Sequence, residues 1–138
     1  MTKVVVNRCF GGFSLSEAGV RLYAKLKGLT VYPERDGVIT TYWTVPAGQR
    51  SGVLEGAAWD AASTEARQAS NAAYGAMTIT DTDIPRDDHA LVETVEALDD
   101  AANGPFAKLE VVEIPDDVAW HIHEYDGSEH VAENHRTW

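Results

Sequence analysis

Three arginines are the groups in this chain best suited to hold an anion. Arg8, Arg86 and Arg136 carry guanidinium forks that match phosphate or carboxylate geometry. Arg8 lies in Val4-Val5-Val6-Asn7-Arg8-Cys9-Phe10-Gly11-Gly12-Phe13-Ser14, which reads as a strand running through a glycine turn into a helix. Ser14 and Glu17 have the S-x-x-E spacing of a capping box, so the helix is expected to open there and offer its first amides to an anion. Asn7, Arg8, Gly11, Gly12, Phe13 and Ser14 are therefore candidate ligand-binding residues, joined by Arg86, Tyr125, Arg136 and Trp138. The aromatics among them, with Phe10, would supply stacking surfaces for a base. Ion pairing with Asp87, Asp88 or Glu133 is the competing account of the arginines, and core packing that of the aromatics.

Other chemistry is weaker. Cys9 with His135 as its base would make a nucleophilic pair, but no spacing brings them together, and a buried, inert thiol is favoured. His121 and His123 share one face of a strand, where His130 or Asp117 could complete a metal site; exposed strand histidines are the preferred reading. The pairs Asp87-Asp88 and Asp116-Asp117 each follow a proline closely, which suits turns and helix caps. No catalytic residue, metal or cofactor is assigned.

The elements that must position these groups follow from periodicity. A helix is expected over Leu15 to Leu26 with Leu15, Ala18, Leu22 and Leu26 on its core face. Val31-Tyr32 and Val38 to Val45 read as strands, with a hairpin through Pro33 to Gly37. Residues 46–77 form the least regular stretch; the alanine-rich Ala57 to Tyr74 reads as helical, with Trp59 on its apolar side. Thr78 to Ile84 is expected as a strand, followed by a helix capped by Asp87 or Asp88 with Leu91, Val92, Val95, Leu98 and Ala102 inward. Leu109 to Ile114 and Val118 to Tyr125 read as strands, and Ser128 to His135 as a short helix. The expectation is one α+β domain over residues 1–138. It would hold a mixed or mainly antiparallel sheet, two main helices and a short C-terminal helix, with 46–77 a variable inserted element or lid.

The chain has 138 residues, 44% of them hydrophobic, which suffices for a real core. A single cysteine and the lack of any membrane-length apolar run suit a cytoplasmic protein. The net charge of -11 is uneven: residues 1–80 hold eight Lys/Arg against six Asp/Glu, and residues 81–138 three against sixteen. Such an acidic half repels nucleic-acid phosphate, so direct nucleic-acid binding is disfavoured.

The segments Val4 to Ser16, Ile84-Pro85-Arg86-Asp87-Asp88, Val111 to Val118, Glu124-Tyr125-Asp126-Gly127 and His135-Arg136-Thr137-Trp138 together resemble a family of small uncharacterised proteins of tailed bacteriophages and prophages. The resemblance covers about residues 3–28 and 84–138 and leaves the centre unmatched. Similar members carry Glu rather than His around positions 121 and 123. It implies an accessory protein made in the cytoplasm of an infected bacterium, and brings no activity with it. A non-enzymatic role is favoured: sequestering an anionic, nucleotide-like signalling molecule to counter host defence. The alternatives are an acidic inhibitor of a basic host protein, including a DNA mimic, and a small Cys/His enzyme acting on a nucleotide. Self-association is compatible with each.

Overall fold

The computed structural model describes residues 1–134. Ser128–Glu133 forms a strand where a short C-terminal helix is expected, and His135, Arg136 and Trp138 lie outside the described residues. The fold is mixed α+β, and every strand pairing among the described residues is antiparallel. Its contacts group into two units, residues 1–28 with 81–138, and residues 29–80.

In the first unit, β1 (Thr2–Asn7) pairs with β5 (Leu109–Ile114), Val5 lying opposite Val111. The three valines Val4, Val5 and Val6 are fully buried. Helix α1 (Glu17–Leu26) and helix α4 (His89–Leu98) pack together beside them. Helix α1 starts later than its capping-box spacing predicts. Leu15 is buried and held extended by a bridge to Asn103, and its N–H donates to Asp81 Oδ2 at 2.9 Å. Ser16 is therefore the cap, its Oγ accepting the Gly19 N–H at 3.0 Å. The core face turns with it: Gly19, Val20, Tyr23 and Ala24 are buried, whereas Ala18 and Leu26 are exposed. Asp88 caps α4 as expected, accepting from the Ala90 and Leu91 amides.

The chain then closes on a hairpin of β6 (Trp120–Tyr125) and β7 (Ser128–Glu133), joined through Asp126 and Gly127, both at positive φ. Helical periodicity in Ser128 to His135 misleads because the Asp126-Gly127 turn sends the chain straight back along β6. The expected strand over Thr78 to Ile84 is likewise shortened to β4 (Thr78–Ile79), since Asp81–Asp83 forms a 3-10 turn.

In the second unit, β2 (Tyr32–Asp36), β3 (Ile39–Trp43) and β4 form a sheet in the order β2-β3-β4. Pro33 sits in the edge strand β2, where a missing donor is tolerated. The alanine-rich stretch divides into α2 (Gly56–Asp60) and α3 (Thr64–Ala76), capped by Ser63. Arg67 braces the break, donating to the Trp59 and Asp60 carbonyls at 2.9 and 3.0 Å. Trp43 is buried with the Tyr74 ring edge-on at 5.2 Å and the Arg50 guanidinium 3.9 Å from its own ring.

Candidate functional site

The end of β1 and the β6–β7 turn meet at Asn7, which is buried and fully bonded. Its side-chain Nδ2 donates to the Cys9 and Gly127 carbonyls, each at 2.8 Å, and its Oδ1 accepts the amides of Lys108 at 2.9 Å and Cys9 at 3.2 Å. One short side chain thus ties together the loop after β1, the start of β5 and the hairpin turn.

Glu129 is the centre of the arrangement. It points inward from β7, only 5% exposed, and its Oε1 accepts the Asn7 N–H at 2.8 Å. Arg86 meets the same carboxylate with both arms of its fork, Nη2 to Oε2 at 2.9 Å and Nη1 to Oε1. The guanidinium sits over the buried Phe13 ring, its central carbon 3.7 Å from the centroid. Arg8 meets the Glu129 backbone instead, Nη1 donating to its carbonyl at 3.0 Å, while its Nε donates to Glu110 Oε2 at 2.9 Å. Two of the three expected arginines therefore meet at Glu129, Arg86 at its carboxylate and Arg8 at its backbone carbonyl, and each has a carboxylate of the chain as its charged partner. Asp87, Asp88 and Glu133 are not their partners. Asp88 instead pairs with Lys27 at 2.8 Å.

The glycines explain how three segments come so close. A Cβ on Gly11 would stand 2.1 Å from Phe106 Cβ, and one on Gly127 would stand 2.6 Å from the Gly12 nitrogen and 2.7 Å from the Phe10 oxygen. Gly12 has φ 88°, a conformation costly for any other residue. Ser14 is not a helix cap; its carbonyl accepts the Gly104 N–H at 2.9 Å. Around this junction three aromatic side chains stand in solvent: Phe10 at 69%, Phe106 at 81% and Tyr125 at 72% exposure. Lys108 is exposed beside Phe106 in the sequence.

Two contributors escaped the sequence reading. Strand alternation over Ser128–Glu133 puts Glu129 on the same face as Val131 and opposite to His130, a signal that a helical reading of this stretch hides. Phe106, at φ 66°, gives no such signal. Cys9 is half-buried, its backbone held by Asn7, and its suggested partner His135 lies outside the described residues. Among the described residues no cluster of three metal-ligating side chains occurs. Asp116 accepts the Thr2 hydroxyl at 2.8 Å. A cavity of about 550 Å³ is lined by Lys3, Asp87, His89, Glu93 and Glu96 and by no arginine. No helix among the described residues is long and apolar enough to cross a membrane. Compared with family models, curated proteins and solved structures, the chain matches none of them.

Proposed function

We propose that this is a non-catalytic phage accessory protein that binds and sequesters an anionic, nucleotide-like signalling molecule inside an infected bacterium. The observation that carries the reading is a set of three exposed aromatics, Phe10, Phe106 and Tyr125, on backbone segments that come close at Gly11 and Gly127. Exposed aromatic faces on a rigid support suit a planar base, and stacking is worth about 1–3 kcal/mol per base. Arg8 supplies the charge. Its side chain is 36% exposed and its partner Glu110 is 56% exposed, so a phosphate can replace that carboxylate at little cost. Arg86 is taken up by buried Glu129 and is not free for a ligand.

Small molecules released by heating the purified protein, identified by mass spectrometry and returned in calorimetry, test the reading. Phe10→Ala, Tyr125→Ala and Arg8→Ala should each weaken binding by about 1–3 kcal/mol with little change in melting temperature. No released molecule and no heat from a nucleotide panel would overturn it. A second reading, an acidic inhibitor of a basic host protein, is supported by Glu93, Asp99 and Asp100. These are exposed along and after α4 and have no ion-pair partner among the described residues. Capture of one host protein, abolished by Lys at all three positions, would favour that reading.

A further inference from the structure

The histidines of the β6–β7 hairpin take no part in the binding site above. Alternation along β7 places Glu129 and Val131 on one face and Ser128, His130 and Ala132 on the other. Because Glu129 is buried against Arg86, His130 must face outward, and it is exposed. The hairpin register sets His123 directly opposite His130. The two imidazoles therefore share the outer face, with ring centroids 4.8 Å apart and planes inclined by 41°. Neither ring has a hydrogen-bond partner among the described residues. His121 lies on the same face opposite Ala132, but its Nδ1 is engaged with Asn134 Oδ1.

Imidazole nitrogens bind divalent transition metals at about 2.0–2.1 Å, and rings at this separation bring two of them within reach of one ion after small side-chain rotations. Neighbouring strands hold both donors in place, so little freedom is lost on binding. The exposed carboxylates Glu124, Asp126 and Glu133 on the same hairpin raise the local cation concentration. We propose that His123 and His130 form a two-histidine surface site for a divalent transition-metal ion of the copper, nickel or zinc class, with water completing the coordination.

The untagged full chain is titrated with copper, nickel, zinc and magnesium chlorides by calorimetry. One ion should bind per chain, copper most tightly and magnesium not at all. His123→Ala and His130→Ala should each weaken nickel binding at least about tenfold, and His121→Ala by less than about threefold. All three residues are exposed, so the variants should keep the circular dichroism spectrum of the parent chain. Imidazole proton and nitrogen NMR signals give a second readout: those of His123 and His130 should shift together at substoichiometric zinc. Unchanged nickel affinity in either the His123 or the His130 variant, or zinc shifts confined to other histidines, would overturn the site.

Discussion

Glu129 fills the Arg86 fork that an external anion was expected to take, whereas Arg8 pairs with the exposed Glu110, and that difference decides what each arginine is for. Arg86 and Glu129 are 17% and 5% exposed, so removing either charge strands the other away from water. Glu129→Gln should therefore lower unfolding free energy by about 3–5 kcal/mol in urea titrations. Glu110→Gln, at the exposed partner of Arg8, should cost less than about 1 kcal/mol; equal losses would refute this division of roles. Asp88 offers a pH test. Burial pushes its carboxyl up, but the Lys27 ammonium and the Leu91 and Ala90 amides outweigh burial and hold it below its ordinary value. The native state then binds fewer protons than the unfolded chain. This contribution to stability is whole above the ordinary carboxylate range and is lost as pH falls through the depressed value. Asp88→Asn keeps a capping oxygen and loses the charge, so it should flatten the acid limb of a stability profile measured from about pH 2 to 7.

At the scale of elements, the glycine loop was legible and its reasons only partly so. Val4 to Val6 announce a buried strand, and the Asp88 cap and the stripe through Leu91, Val92 and Val95 locate α4 correctly. Helix α1 was found but rotated, because the bridge from Leu15 to Asn103 is a long-range contact that local spacing cannot encode. The C-terminal strand was missed because hydrophobic period alone does not separate a short helix from the return arm of a hairpin. The arginine pair was legible as a convergence, and its internal partner was not. The glycines yield a graded prediction. Gly12→Ala meets open space and only an unfavourable φ, and should cost about 1 kcal/mol. Gly127→Ala adds a backbone collision at 2.6 Å to a φ of 89°, and should lower stability by more than about 2 kcal/mol in the same melts. Equal effects would show that the close approach yields by small backbone movement.

Over the whole molecule, the charge asymmetry along the chain becomes complementarity within the first unit. Residues 1–28 supply Lys3, Arg8 and Lys27, and the acidic stretch after residue 80 answers with Glu96, Glu110 and Asp88 at 2.9, 2.9 and 2.8 Å. These surface pairs are individually weak, yet they join the same two segments that the Asn7–Glu129 bond joins in the interior. The first unit therefore contains its own core and the junction of Arg8, Arg86 and Glu129. The second is closed differently. Trp43, 4% exposed, lies beneath Tyr74 and Arg50, and the Thr44 N–H donates to the Met77 carbonyl at 2.8 Å. The stretch 46–77 thus covers the apolar centre of residues 29–80, and deletion should respect that boundary. Replacing residues 29–80 with a flexible Gly/Ser linker should preserve a cooperative melt and the Glu129 dependence of stability. Replacing only 46–77 removes Tyr74 and Arg50 and uncovers Trp43, so that variant should bind a hydrophobic dye and aggregate at lower temperature. A cooperative, dye-free melt from the shorter replacement, together with unfolding of the longer one, would show that β2 and β3 belong to the core of the first unit.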